Sequence, residues 1–453
     1  MNVPVEPSHL PYPHDELVEW PRDSLGELDA ERLAATSPVT VARFLERLEV
    51  DERRDVLRLL PPAQAAAILA EADEEAAAEA LSAMRWQRAM RILGEVEPDD
   101  AADILAELED EDRLRLLDRL EKASRRSIEN LLAYEPETAG GIMTTEVDTA
   151  LDNMTVEEAT RRIREFADKH EDLHYVYVVD EARHLQGIVS LRKLIQARPE
   201  TLLRDVMKRE IRGICEPDTD REEVALKMAE FNLPDMAVVD KEGKLLGVIT
   251  HDDVIDVLRE EATEDIQMLA GAGGTEGLHD RILSSVRQRQ PWLVVNLATA
   301  FVAAVVVKMF EDQIGALPLL AAIMPIIAGV GGNSGQQSLA ITIRSIALGE
   351  YRSGESLTVL LRQAAIGLVN GTLTGLVAAG MVFFFDGPPM LSLIVFLAMF
   401  LNLALGCLAG TLIPIVLLRL NRDPAQMSSI FLTFFTDTGG FFVFLMLGSV
   451  FLL

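Results

Sequence analysis

Five apolar stretches in the last third of the chain, 291–309, 317–348, 357–385, 390–418 and 427–453, leave little choice of architecture. A helix needs about 20 predominantly apolar residues to cross the hydrocarbon core of a bilayer. Within that core the backbone must satisfy its own hydrogen bonds, so spans of this kind are helices. The second to fourth stretches exceed the minimum, which predicts tilt or kinks. The expectation is a five-helix transmembrane domain over 291–453.

Loop charges predict its orientation. Arg344, Arg352 and Arg362 accompany the connection between the second and third stretches, and Arg419 and Arg422 that between the fourth and fifth. The other two connections carry Lys308 with Glu311 and Asp312, and "FFFDGPPM" with no basic residue. Basic residues collect on the cytoplasmic side. The amino-terminal part is therefore expected inside and the carboxyl terminus outside, in a multi-pass protein of a bacterial cytoplasmic (inner) membrane.

The net charge of −30 belongs almost wholly to the residues before 290. Nucleic acid and anionic membrane surfaces are bound through Lys and Arg, so this balance argues against both and favours cations. Two cysteines, Cys215 and Cys407, cannot make a disulfide framework. Residues 1–24 are Pro-rich without an apolar core; they read as a disordered tail and not as a signal peptide, which keeps the soluble part in the cytoplasm.

Residues 25–136 are acidic, alanine-rich and helical in pattern. "LPPAQAAAIL" (60–69) is echoed by "VEPDDAADIL" (96–105), and such a degenerate repeat predicts an all-α superhelical domain of stacked helix pairs. A cleaner repeat follows. "YVVDEARHLQGIVSLRKLI" (177–195) matches "AVVDKEGKLLGVITHDDVI" (237–255) at an offset of sixty residues. Each copy reads strand, turn, strand and the start of a helix. Each follows a Met-ended segment, "GGIM" or "RDVM", and a helix opening "TVEEAT" or "DREEVA". This α/β pattern resembles a tandem pair of CBS domains, the regulatory module of cystathionine-β-synthase type, over 137–200 and 201–262. A connecting helix is expected over 263–290.

Polar side chains inside a span are expensive and mark pathways. Asn296, Asn333, Gln336, Gln337, Asn370, Asn402 and above all Asp437 qualify, and no Lys or Arg lies within two turns of Asp437. A carboxylate there must meet water, a cation or a proton; a protonated Asp bonded to a neighbouring helix is the simpler alternative. In "PIIAGVGGNSGQQS" (325–338), Gly331 and Gly335 have the spacing of close helix packing. On a helix, Asn333, Gln336 and Gln337 share one face. Pro325 removes a helical hydrogen bond, and the glycines are expected to free carbonyls toward a watery cavity. Carbonyls, amides and a carboxylate are hard donors suited to Mg²⁺, Ca²⁺ or Mn²⁺, of which Mg²⁺ sheds water most reluctantly.

A second acidic feature is "THDDVIDVLREEATEDI" (250–266). Asp252, Asp256, Glu260 and Glu264 recur every four residues, thickened by Asp253, Glu261 and Asp265. Like charges at that spacing repel. A solvated helix with fraying ends is the simpler reading; in the sharper one, divalent cations bridging this face to Asp99, Asp100 and Asp103 would stabilise a compact form, and their loss would open it.

The order of these parts, with "EPETAGGIMT" (135–144), "EEATEDI" (260–266) and "GGNSG" (331–335), resembles the MgtE family of bacterial magnesium channels, which is related to eukaryotic magnesium-transporting solute carriers. The resemblance implies a homodimer in membrane lipid, with its pore on the two-fold axis and Asp437 as a selectivity carboxylate presented twice. The backbone of Gly329, Gly331 and Gly332, with Asn333, Gln336 and Gln337, would meet the ion's water shell. Regulatory Mg²⁺ would be held by Asp99, Asp103, Asp220, Glu222, Asp253, Asp256, Glu261, Glu264 and Asp265, and would lock the connecting helices over the pore. Asn232, in "AEFNLPDM", stands where the family can place an acidic ligand. ATP in the CBS cleft, and Mn²⁺ or Co²⁺ as further cargo, stay open.

Two rival classes remain at this point. One is a Na⁺- or H⁺-coupled divalent-cation carrier. The other is an intramembrane hydrolase, because "DTG" at 437–439 is the aspartic-protease triplet and a dimer would pair two of them. The expectation is a transport protein and not an enzyme.

Overall fold

A computed structural model describes residues 33–147, 149–166, 174–274, 276–277, 282–385, 387–420, 422–425 and 427–452; the expected tail over 1–24 lies outside the described residues. The chain divides into two units, Met1–Leu258 and Arg259–Leu453.

The first unit opens with short helices: α1 Pro38–Leu45, α2 Val50–Leu59, α3 Pro62–Ala70, α4 Glu74–Ser82, α5 Trp86–Leu93, α6 Pro98–Ala106, α7 Asp110–Leu117 and α8 Lys122–Leu131. From α1 to α6, helices two apart in the chain pack together, as do α6 and α8, which produces the expected superhelical stack. Its period is plainer than the echoed segments suggested. Leu45, Leu57, Leu69, Leu81, Leu93, Leu105 and Leu117 recur every twelve residues, each at or near a helix end, and all are buried. The echo at an offset of thirty-six is three such periods, and it becomes α3 and α6, both started by a proline. Proline suits that position because its missing N–H would have had no helical partner there.

The repeat at sixty residues becomes two matching sheets. Strands β1 Thr149–Leu151, β2 Tyr175–Val179 and β3 Leu185–Ser190 form one; β4 Ile214–Cys215, β5 Asp235–Val239 and β6 Leu245–Thr250 form the other. In each the first pair is parallel and the second antiparallel, with a register irregularity at Val178/Val179 and again at Val238/Val239. The crossover helices are α9 Val156–Phe166 and α12 Arg221–Phe231, while short α10 Leu191–Gln196 and α11 Leu203–Val206 link the copies.

The Met-ended segments explain why the copies come as a pair. Thr144 exchanges backbone bonds of 2.8 and 2.9 Å with Val248 of β6, and Lys208 exchanges bonds of 2.9 and 3.0 Å with Ile188 of β3. Each copy thus completes the other's sheet. Gly247 and Gly187 make the approach possible, since a Cβ there would stand 2.5 Å from the Thr144 oxygen and 2.9 Å from that of Lys208.

Asn232 also acquires a reason. It ends α12 in the left-handed conformation at φ 49°, its N–H returning to Met228 and Ala229. Asn tolerates that conformation better than most side chains.

The connecting segment departs from expectation. The last CBS helix, α13 His251–Leu269, runs past residue 262, and the chain then leaves helical geometry. Gly271 and Gly274 adopt φ 76° and 93°, which only glycine takes without strain. The next helix, α14 Ile282–Met309, starts before Pro291 and continues through it. So 263–290 is not one helix. The glycines, rather than the proline, set the break.

The second unit holds α14, the short α15 Glu311–Ala316, then α16 Leu319–Ala347, α17 Ser356–Phe384, α18 Pro389–Arg419 and α19 Ser428–Phe451. All but α15 are long and apolar enough to cross a membrane, five in total among the described residues. Helix α18 is central and touches α16, α17 and α19. Gly367, Gly371 and Gly375 of α17 lie against it; a Cβ at Gly371 would stand 2.9 Å from the Phe400 backbone. Small residues drive such packing because lipid offers no hydrophobic gain.

Candidate functional site

Helix α16 is unbroken through Pro325 and through the whole glycine motif. This corrects the expected loosening. The glycines do not unwind the helix, because Gly331 and Gly335 are occupied in packing. They oppose Gly406 and Gly410 of α18, where an added Cβ would stand 2.5 Å from the Gly331 oxygen and 2.3 Å from the Gly335 oxygen. Gly331 is thus a buried helix-contact residue and is removed from the expected pore set. The missed half of this seam was legible, since Gly406 and Gly410 have the same four-residue spacing as Gly331 and Gly335.

The opposite face of α16 behaves as the spacing predicted. Gly329, Asn333, Gln336 and Gln337 are all exposed, and Gly332 is half-buried. Exposed amides in a helix of bilayer length form a polar stripe on an otherwise apolar cylinder. Asp437 lies near the middle of α19, half-buried, and makes no ion pair among the described residues. The two helices meet beside it. A Cβ on Gly332 would stand 3.7 Å from Thr436 Oγ1, and one on Gly335 2.6 Å from Leu432.

A second constellation belongs to the first unit. Asp99 and Asp100 occupy the first turn of α6, where the helix dipole favours carboxylates. Asp253 begins α13 and accepts from the Thr250 hydroxyl at 2.5 Å. Burial raises the pKa of all three, and neighbouring carboxylates add to it: Asp99 moves up, Asp100 to about 8 and Asp253 to about 7. Asp103 contributes to the shift of Asp100. Asp99 Oδ1 is enclosed without a hydrogen-bond partner among the described residues. Glu71, which ends α3 and was missed in the sequence, is raised by burial and by Asp256 and Asp252.

Asp220 has a separate local task as the N-cap of α12, accepting the Glu222 N–H at 2.8 Å. In the second unit, Asp265 is pushed up to about 6 by burial, then by Asp423 and Glu261. Glu264, one residue before it, is half-buried. Asp423 was also missed; it sits in the connection before α19 and accepts the Ala425 N–H at 2.8 Å. Only the fold brings it to α13. Among the described residues, no three His, Cys, Asp or Glu side chains converge tightly enough to hold an ion within a single chain.

These shifts set a pH dependence. A carboxyl titrates near about 4 in an unfolded chain and higher in this fold, so between those values the folded state binds more protons and loses stability as pH rises. Metal-free protein should lose protection of α6 and of the start of α13 between about pH 4 and pH 8, and a divalent cation should restore it. Amide-exchange protection factors, corrected for intrinsic rate, measure this. Protection that climbs with pH in metal-free protein would contradict it.

A multi-pass membrane protein with a polar stripe, an intramembrane carboxylate and an acidic CBS-bearing region is the class that the fold and site define. Three family models match the chain: "Divalent cation transporter" over 324–447, "MgtE intracellular N domain" over 36–137, and "CBS domain" over 139–200 and 203–260. The magnesium transporter MgtE of Thermus thermophilus is 36% identical over 332 residues, covering 72% of this chain and 72% of that protein. That of Enterococcus faecalis is 34% identical over 325 residues, covering 72% and 71%. A crystal structure of the cytosolic domain of the Mg²⁺ channel MgtE in complex with ATP is 39% identical, with 52% of this chain and 98% of that one covered, at a TM-score of 0.49. The chain belongs to the MgtE family.

Proposed function

We propose that this protein is a Mg²⁺-selective channel for magnesium uptake, working as a homodimer in the bacterial cytoplasmic membrane and shut from the cytosolic side by Mg²⁺ itself. The observation that carries this reading is the exposed stripe of Asn333, Gln336 and Gln337 beside a helix whose Asp437 has no ion pair among the described residues. Lipid would leave those amides unsatisfied at a cost of several kcal/mol. Water does not, and on a two-fold axis the stripe faces its own copy. Amides and the backbone at Gly329 and Gly332 then hold the water shell of the ion, and two Asp437 carboxylates supply the charge that favours a divalent cation. Such a site binds the hydrated ion weakly enough to release it, which conduction requires.

Shut-off rests on the cytosolic carboxylates. Asp99, Asp103, Asp253 and Asp256, with Asp100 and Glu71, form one cation-seeking group, and Glu261, Glu264, Asp265 and Asp423 another. Asp220 and Glu222 are assigned to regulation by family position. Bound Mg²⁺ takes over the neutralising role that protons play without it, and α13 carries the change toward the spans. The loop arginines support an inside amino terminus.

The test is flux into liposomes holding the purified full chain and a Mg²⁺ indicator. Uptake should need no Na⁺ or H⁺ gradient and should stop as cytosolic-side Mg²⁺ rises. Flux that collapses when one of those gradients is dissipated would replace the channel with a coupled carrier. Peptide cleavage without metal flux would point to the hydrolase.

A further inference from the structure

Asn402 is left without a role by the channel reading, although it is among the most deeply placed polar groups of the second unit. It sits in the apolar run of central helix α18 and is 1% exposed. Its Nδ2 donates to the Ile327 oxygen of α16 at 2.9 Å. In an α-helix that oxygen is the acceptor of the Gly331 N–H, so the side-chain amide joins the motif helix one turn before Gly331.

The same carboxamide also fills a notch on α19. A Cβ at Gly331 would stand 2.1 Å from Asn402 Nδ2, and one at Gly440 would stand 2.7 Å from the same atom and 3.0 Å from Oδ1. One amide is therefore seated between glycines of the two helices that carry the proposed pore residues. Gly331 lies two residues before Asn333, and Gly440 three after Asp437. Oδ1 is enclosed with no hydrogen-bond partner among the described residues. A leucine would fill a similar volume without burying an orphan oxygen, so packing alone does not account for an amide here.

We infer that Asn402 is a positioning residue: by bonding Ile327 and seating against Gly331 and Gly440, it fixes the distance between the Asp437 carboxylate and the amide stripe. This rests on the channel reading above. The spacing matters because a hydrated ion is recognised by where its waters are held, and a site of this kind tolerates displacements of about 0.5 Å. Loss of the bond to Ile327 frees the group seated between α16 and α19, lets the two helices shift, and relaxes the discrimination between ions that differ in how firmly they keep water.

The experiment compares Ca²⁺ and Mg²⁺ flux at equal concentration for the full-length protein in liposomes. Asn402→Leu should raise the Ca²⁺:Mg²⁺ ratio about tenfold. Gly440→Ala, which presses a methyl onto the retained amide, should move the ratio in the same direction. Thr411→Val is the structural control, since Thr411 is fully buried on the same helix and its hydroxyl donates to Cys407 of its own helix; its ratio should match the unaltered protein. An unchanged ratio in Asn402→Leu overturns the inference, and if that variant does not fold, Gly440→Ala decides in the same way. An unaltered protein that already passes Ca²⁺ and Mg²⁺ alike overturns the channel reading instead.

Discussion

Asp437→Asn is expected to lower Mg²⁺ flux about 100-fold while leaving the fold intact. A doubly charged ion about 5 Å from a carboxylate, across one water, is attracted by about 7 kcal/mol at an effective dielectric of about 20. Desolvation offsets part of this; a net of about 3 kcal/mol corresponds to about two orders of magnitude in occupancy. Asparagine keeps the shape and removes the charge. Because Asp437 makes no ion pair among the described residues, no partner is orphaned by the change, so flux can be read apart from stability. Liposome flux beside a thermal melt of the same sample measures both. An asparagine variant that conducts Mg²⁺ at the normal rate would remove Asp437 from the pathway.

The second large effect is on shut-off. Neutralising Asp253, Asp256 and Glu261 together should leave the channel conducting at cytosolic Mg²⁺ that closes the unaltered protein, shifting half-closure at least about tenfold, or about 1.4 kcal/mol. Two consequences of neutralisation oppose each other. It removes cation ligands, which favours the open form, and it relieves repulsion, which favours the closed one. The shifted carboxyls decide between them. With Asp100 at about 8 and Asp253 at about 7, protons already cancel much of the repulsion at neutral pH, so little is left to relieve. Loss of ligands then dominates. A triple variant that is shut at every Mg²⁺ concentration would show that repulsion had governed the gate.

Much of this protein was written locally. The five spans are runs of apolar residues, and a bilayer reads such runs without reference to the rest of the chain. The paired sheets follow from alternating strands and turns repeated sixty residues apart, and the repeat also fixed the matching glycines Gly187 and Gly247. The stripe of Asn333, Gln336 and Gln337 needed only helical periodicity, and all three are exposed together. Local reading failed where two local signals competed. Pro291 looked like the start of a span, yet a membrane helix accommodates proline, and the positive φ of Gly271 and Gly274 placed the break earlier.

What the sequence by itself determined is the set of elements, their number and the residues too costly to be idle, with Asp437 first among them. What only the tertiary structure decided is pairing. Gly331 became a packing residue once Asn402 and Gly406 stood against it. Asp423 mattered once the connection before α19 reached Asp265, and Asn232 became a helix cap once α12 ended beneath it. The physical reason is the range of the forces involved. Hydropathy and backbone preference act over a few neighbouring residues, whereas close packing and carboxylate repulsion depend on which distant surfaces the fold brings within a few ångströms.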